Sequence, residues 1–396
     1  MFVRSTRRAV VAYSLGALVA LPLLAACTDN APSGGSGAGD ADPRALSVTA
    51  EDAACSVSTA TAPSGNLKFS VRNAGTQVTE FYLLDSDGLR IVAEVENIGP
   101  GLTRDLVVTA APGRYLTACK PGMTGAGIRA PFEVSDSGAD LSPQGGDKEQ
   151  VAAATKLYAA YVKDQADQLL TKTEQFHRLY VAGDDAKARE LYPVARVHWE
   201  RIEPVAESFG DLDPKMDLRE ADVEEGAEWT GWHRIEKDLW PARANGYTPL
   251  TKAERKKYAD DLLANTKLLR QRTQKLTLSV DKIGNGATAL LDEVATGKVT
   301  GEEEYWSRTD LWDFQANVDG ARVAFDGLRP ILKQKDAALD TQIDQRFKAL
   351  QKLLDQQKKG SGFRLYNELS KAEVKALSDA VNALSEPLSK LTAAVV

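Results

Sequence analysis

The sequence predicts two domains of different class, an antiparallel β-sandwich followed by an all-α helix bundle. Three observations carry this. Apolar residues alternate with a period of two between about residues 45 and 135. A polar linker over 136–149, most of it in SDSGADLSPQGGD, interrupts the pattern. From 150 to 396 Gly and Pro thin out, and apolar residues recur every three or four positions.

The N-terminal segment comes first in the chain. Arg4, Arg7 and Arg8 precede an apolar run, Ala9–Ala26, that holds no acid. A basic stretch followed by an apolar one is an export signal rather than a structural helix. The run closes as LLAAC, and small residues before a cysteine are expected to direct cleavage after residue 26 and lipidation of Cys27. TRRAVV partly matches a twin-arginine signal. Residues 28–44, rich in Gly, Ser and Asp, are the expected tether between membrane and domain. Elsewhere no run of about 18 apolar residues occurs, so no further span is expected.

Within 45–135 the strand signals are short and regular. In NLKFSVRN, Leu67, Phe69 and Val71 alternate with Lys68, Ser70 and Arg72, and DLVVT repeats the pattern with Leu106 and Val108. Turn residues fall between them at 73–75, 85–88, 99–101 and 112–114. About 90 residues with this punctuation fit one sandwich. The segment contains no histidine, which excludes a blue-copper site needing two. Cys55 and Cys119 remain once Cys27 is lipidated. In an oxidising compartment such a pair forms a disulfide, whereas Cys119 and Met123 as free soft ligands would suit Cu(I).

The helical region carries three long stripes. Val374, Leu377, Val381, Leu384, Leu388, Leu391 and Val395 form one. Tyr258, Leu262, Thr266, Leu269, Thr273, Leu276, Val280 and Ile283 form a second, and Leu339, Ile343, Phe347, Leu350 and Leu354 a third. Charged residues fill the opposite faces, as in an antiparallel bundle.

Chemistry concentrates in 196–240. Glu200 and Glu203 are three apart ahead of Pro204, a spacing that puts two carboxylates on one helix face. His233 and Glu236 repeat the spacing in GWHRIEKDLW, and Asp217 lies in the acidic connector between. Acid–acid and His–acid pairs from facing helices are how bundles hold iron or manganese. A cation would also relieve the repulsion of gathered carboxylates, although on an exposed face water and salt would do the same. Trp199, Trp229, Trp232 and Trp240 flank the pairs, as a wall of the site or as core. Farther on, EEEYWSRTDLWDFQANVDGA offers Glu304 or Asp313 to complete a shell, and a polar helix surface explains these residues equally well.

These stretches are similar to a known family. HWERIEPVAESFGDLDPKMDLRE, GWHRIEKDLW and TDLWDFQANVDGA resemble the imelysin-like family over most of 150–396, and ENIGPG and GRYLTAC resemble the cupredoxin-like domain of its longer members. The resemblance implies an extracytoplasmic component of an iron uptake system that works with an iron permease and a haem-dependent peroxidase. Its metal residues fall on His233 and Glu236, with Glu200, Glu203 and Asp217 as the acidic cluster. In the sandwich it implies Cys55, Glu80 and Cys119. One departure stands out: Cys55 is followed by SVSTATAPSG, where the resemblance leads one to expect Glu-Pro. The expected cargo is iron, as Fe2+ or Fe3+, and oxygen-rich sites also accept zinc or manganese, with copper a further candidate.

Charge narrows the function classes. The net charge is −7, and removing residues 1–26 with their three arginines takes it to −10, which disfavours a nucleic-acid partner. Peptidase activity, suggested by the family's founding name, would require HExxH or HxxEH. Neither occurs, and Lys237 stands where the second His of HxxEH belongs. A metal-free surface scaffold is the third reading, and it predicts that changing His233 leaves ligand binding untouched.

Overall fold

A computed structural model describes residues 42–138, 147–223 and 225–396. The expected signal, the Cys27 lipidation site and nearly all of the 28–44 tether lie outside the described residues. Among those described, no helix is long and apolar enough to cross a membrane.

Nine strands build the sandwich: β1 (Ala45–Ala50), β2 (Cys55–Val57), β3 (Thr61–Pro63), β4 (Gly65–Asn73), β5 (Thr79–Asp85), β6 (Ile91–Ile98), β7 (Thr103–Ala110), β8 (Gly113–Cys119) and β9 (Ile128–Ser135). One sheet runs β2-β1-β4-β7 and the other β3-β9-β8-β5-β6. The alternating residues land where the period of two places them, with Leu67, Phe69, Val71, Leu106 and Val108 all buried in the core between the sheets. Phe69 packs on Phe81 and Phe132 with ring centroids 5.2 and 5.6 Å apart. The sheets are mixed rather than purely antiparallel, because β1 pairs with β4, and β3 with β9, in parallel. Alternation fixes which face is apolar but not strand direction. The partners in these pairs are not joined by hairpins, so nothing local imposes an antiparallel register. Cys55 and Cys119 form a disulfide that links the two sheets.

The helices are α1 (Lys148–Ala182), α2 (Asp185–Glu200), α3 (Glu203–Glu207), α4 (Asp213–Met216), α5 (Gly231–Leu239), α6 (Lys252–Thr273), α7 (Val280–Thr296), α8 (Asp310–Lys335), α9 (Ala337–Asp355), α10 (Lys371–Leu388) and α11 (Leu391–Val395). A two-residue hairpin, β10 (Lys358–Lys359) with β11 (Gly362–Phe363), follows α9. Reciprocal capping boxes, Thr251 with Glu254 and Ser370 with Glu373, fix the starts of α6 and α10. Gly183 in the left-handed conformation ends α1.

Two apolar cores divide this region. One gathers the inner faces of α7 to α11 with the first half of α1, and the other gathers α2, α5, α6 and the second half of α1. The stripe read from Tyr258 to Ile283 is broken after Thr273: α6 serves the second core and α7 the first. A spacing of three and four survives such a turn, so the pattern alone does not reveal it.

The sandwich rests on α7. The backbone N–H of Thr109 donates to Asp281 Oδ2 at 3.0 Å, Asn285 Nδ2 donates to the Val107 carbonyl at 2.9 Å, and Arg104 pairs with Asp292 at 3.1 Å. At Gly210 a Cβ would lie 2.6 Å from the Leu89 backbone, so the α3–α4 turn presses directly on the β5–β6 hairpin.

Candidate metal site

The site lies where α2, α3, α5 and the start of α8 meet, with the segments after α4 and before α8 closing it. Tyr192, Ala195 and Trp199 bury one face of α2 in the second core, and Arg196 on the same buried side carries a charge into it. Gly231 begins α5 at φ +88°, and a Cβ there would collide with the Met216 backbone. That close approach sets His233 against Asp217, one residue after Met216.

Every group here is removed from water. Glu200, Glu236, Glu304, Asp313, Arg196 and Lys298 are fully buried, and Glu203, Asp217, His233 and Glu303 nearly so. His233 Nε2 stands 3.3 Å from both Asp217 Oδ1 and Glu303 Oε1, and its Nδ1 stands 3.3 Å from Glu236 Oε2. Glu236 is aimed by its other oxygen, which accepts the backbone N–H groups of Trp306 and Ser307 at 2.8 and 2.6 Å. Trp199 Nε1 donates to Asp217 Oδ2 at 2.5 Å. Ser307 Oγ donates to Glu304 Oε2 at 2.6 Å and the Tyr192 hydroxyl to Glu304 Oε1 at 3.2 Å.

Two buried cations sit among these acids, and the partly exposed Arg219 reaches Glu303 at 3.7 Å. Arg196 contacts Glu200, Asp217, Glu303 and Glu304, with Asp313 at 3.6 Å. Lys298 Nζ lies 3.1 Å from Glu200 and from Glu203, and 3.5 Å from Glu293. Seven buried carboxylates (Glu200, Glu203, Asp217, Glu236, Glu303, Glu304 and Asp313) therefore face two buried permanent positive charges and one, Arg219, that is partly exposed.

The protonation pattern follows from this imbalance. Burial pushes Glu203, Glu304 and Asp313 well up, with only partial relief from Lys298 or Arg196. Burial also opposes ionisation of Asp217, but Arg196 and His233 overcome it and hold that carboxyl below its usual range. For His233, burial and Arg196 oppose the proton, while Asp217, Glu236 and Glu303 outweigh them and raise its pKa. The imidazole is thus held toward its protonated form. Neither Asp313 oxygen, nor His233 Nε2, nor Asn317 Oδ1 has an aligned hydrogen-bond partner. Three sets of ligand atoms lie within 4.8 Å of one another: Asp217–His233–Glu303, His233–Glu236–Glu304 and Glu200–Glu203–Asp217.

The structure thus brings together His233, Glu236, Glu200, Glu203 and Asp217. Glu200 and Glu203 do so differently from the expectation, since Glu200 ends α2 and Glu203 opens α3. Arg201 and Ile202 turn the chain between them, so the two acids converge from separate helices. Arg196, Lys298 and Glu303 were not anticipated. The sequence signal for Arg196 was a charge inside the apolar stripe of α2; none marks Lys298 or Glu303.

The sandwich residues do not converge. Cys55 and Cys119 are bonded to each other and offer no thiolate, which also removes Cys119–Met123 as a Cu(I) pair. Phe81 opposite Cys119 faces the sandwich core, whereas Glu80 accepts from the Tyr82 hydroxyl at 2.6 Å and pairs with Lys120 at 3.4 Å on the outer face. Among the described residues Cys55, Glu80 and Cys119 form no ligand group.

Comparison with known proteins places this architecture. The family model for imelysin matches residues 154–391, and that for a cupredoxin-like domain matches 16–128. The chain belongs to the imelysin family. Among imelysin relatives, iron uptake system component EfeO of Yersinia pestis is 36% identical over 354 residues, 89% of this chain and 91% of that protein. EfeO of Escherichia coli O1:K1 is 36% identical over 359 residues, with the same coverage. An Efem/EfeO family lipoprotein of Staphylococcus haemolyticus is 44% identical over 253 residues, 63% of this chain and 86% of that one. The imelysin match spans every residue of the buried acid site.

Proposed function

We propose that this chain is the extracytoplasmic metal-binding component of an iron uptake system, which captures iron in the buried acid site and delivers it to a membrane permease. One observation carries the reading: seven buried carboxylates share two buried cations, Arg196 and Lys298, and the partly exposed Arg219 beside Glu303, and an imidazole nitrogen and both oxygens of Asp313 are left without aligned partners. Burying uncompensated charge costs several kcal/mol per ion. Protons on His233, Glu304 and Asp313 cover the deficit, and a hard cation would cover it too. The names of the relatives and the shared extent of the chains favour iron as the cargo.

His233, Asp217 and Glu303 form the first candidate ligand set, with Glu236 and Glu304 on the other side of the imidazole. Glu236 and Asp217 are oriented before any ion arrives, by the Trp306 and Ser307 amides and by Trp199. Ligation at His233 requires the ring to give up its proton, so capture releases protons and tightens as pH rises. Because His233 is buried, part of the shell around it has to open for the ion to enter. Zinc and manganese satisfy the same donors, and copper suits them less well.

The expected partners are an iron permease and a haem-dependent peroxidase, with a lipid on Cys27 holding the protein to the cell membrane. A lipoprotein of the family among the relatives supports the anchor. Peptidase chemistry gains nothing from the geometry: Lys237 pairs with Glu220 on the surface, so no second imidazole joins His233 and Glu236. The test is titration of the metal-free chain with Fe2+, Fe3+, Zn2+ and Cu+ beside a His233→Ala/Glu236→Ala variant. Loss of one equivalent of iron or zinc in the variant is expected. Equal binding by both proteins would leave the motif structural and favour the metal-free scaffold.

A further inference from the structure

The buried acid site is closed more thinly on one side than on the others. The side chains of Glu200, Glu236, Glu304, Arg196 and Lys298 have no exposure at all. Those of Asp217 and Glu303 keep 4% and 5%. These two share one candidate ligand set with His233, whose Nε2 stands 3.3 Å from each. Glu203 also keeps a trace of exposure, but it belongs to the other set, where Lys298 lies against it. Water therefore comes nearest to the imidazole at Asp217 and Glu303.

Arg219 lies across that side. It follows Asp217 by two residues, in the connection between α4 and α5, and its side chain is 36% exposed. Nη1 stands 3.7 Å from Glu303 Oε2, while Nε donates to Asp222 Oδ2 at 2.8 Å toward the surface. The backbone just before it is held, because Trp229 Nε1 donates to the Leu218 carbonyl at 2.6 Å. Gly297 marks the same contact from below. A Cβ there would lie 3.2 Å from Arg219 Nη1 and 3.5 Å from Glu303 Oε2. The guanidinium and the carboxylate thus meet over bare backbone, and a side chain at 297 would take space from the guanidinium.

The two contacts of Arg219 are unequal. The bond to Asp222 is short and aligned, whereas the approach to Glu303 is a looser ion pair of a partly exposed group, which contributes little stability and is easily broken. The arm can leave Glu303 while it stays tied to Asp222. A guanidinium does not give up its proton, so the arm remains a positive charge and never becomes a ligand.

We propose that Arg219 is the latch of the metal site: it covers the Asp217–His233–Glu303 set while it rests on Glu303, and it swings out on Asp222 to let an ion pass. It therefore sets the rate of exchange more than the strength of binding. The inference rests on the function proposed above and adds the side by which the ion enters and leaves.

The experiment mixes the metal-free chain with Fe2+ in the absence of oxygen and follows tryptophan fluorescence by stopped flow. Trp199, bonded to Asp217, reports the site. Release is followed into excess chelator. Wild type is compared with Arg219→Gln, with Gly297→Ala and with Arg270→Gln, whose surface pair with Asp167 serves as a control. Gly297 has φ −106°, which alanine adopts, so that variant keeps the charge of Arg219 and only crowds it off Glu303. In Arg219→Gln and Gly297→Ala, capture and release are both expected to quicken by roughly fivefold, the worth of one partly exposed ion pair, with affinity nearly unchanged in Gly297→Ala. Arg270→Gln should match wild type. Wild-type rates in either latch variant overturn the proposal. Faster capture with slower release in Arg219→Gln overturns it too, because a bare charge at the rim acts in that way. A wild type that binds no iron, or binds it equally after His233→Ala/Glu236→Ala, refutes the proposed function and the latch with it. Unchanged rates beside iron binding that depends on His233 refute the latch alone.

Discussion

Replacing Lys298 by methionine separates the charge of the acid site from its packing. The ammonium is fully buried, 3.1 Å from Glu200 Oε2 and 3.1 Å from Glu203 Oε2. At an effective dielectric constant of about 20, each such contact is a gross attraction of about 5 kcal/mol. Desolvation of the ammonium cancels several kcal/mol of this, and breaking a buried pair by removing one partner costs roughly 3–5 kcal/mol net. Lys298→Met keeps most of the volume, so the metal-free variant is expected to lose about that much stability. Its Tm should fall by on the order of 10 °C. An ion in the Glu200–Glu203–Asp217 set would supply the missing charge, so metal should stabilise the variant more than the wild type. Because the ammonium then no longer competes for the Glu200 and Glu203 oxygens, the extra gain should reach at least about 1.4 kcal/mol, a tenfold difference in affinity. Urea unfolding of both proteins, metal-free and with saturating Mn2+, gives all four numbers. An equal gain from metal in the two proteins would mean that Lys298 and the ion do not share ligands, and the charge argument for the site would fail.

Two further outcomes follow from the same geometry. Gly231→Ala puts a methyl into the Met216 backbone at φ +88°. It is expected to cost roughly 2–4 kcal/mol and, by moving His233 away from Asp217, to weaken the His233-dependent equivalent about tenfold; wild-type affinity in a folded variant would contradict this. The metal-free chain should also lose stability as pH rises from about 4.5 to 8. Burial, then Glu80, Glu293 and Asp213, push Glu94 up to about 8 against only partial relief from Lys120, and Asp213 is pushed up to about 7. The unfolded chain releases these protons from about pH 4 upward while the folded chain keeps them, so stability declines across that interval, by a few kcal/mol in all. His233, raised as well, adds to the decline at the upper end. Denaturation midpoints at pH 5 and 8 should differ in that direction and flatten in Glu94→Gln/Glu96→Gln; a midpoint that rises with pH would contradict the assignment.

What the sequence revealed divides by the range of the physics. Stripes such as Leu339–Leu354 and alternations such as Leu67–Val71 are statements about burial, and burial reappears in the structure residue by residue. Strand direction in β1 and β3, and the turn after Thr273, depend on which distant surface each segment meets, which periodicity does not encode. His233 and Glu236 share a helix turn, so their spacing placed them correctly. Glu200 and Glu203 come together although they do not share a helix, so the same spacing grouped them through a geometry the fold does not use. Glu303 and Lys298 arrive from a segment some 60 residues beyond α5. Only the fold could add them, and without them the charge balance of the site cannot be stated.

On the proposed function, that balance bears on how a carrier would hold an ion it must later give up. A cage of seven unpaired buried carboxylates would be too costly to fold empty, and a fully paired one would have nothing left to bind with. Arg196 and Lys298 stand between these extremes. They neutralise enough of Glu200, Glu203, Asp217, Glu303 and Glu304 for the empty state to persist, while Asp313 and the Nε2 of His233 keep unaligned polar atoms in the interior. In that reading an arriving ion would displace protons and compete with tethered cations that cannot diffuse away. Its release would return the acids to partners already in place, and the cost of emptying the site would fall by the strength of those contacts. The affinity would then be set as much by the arginine and lysine as by the ligands.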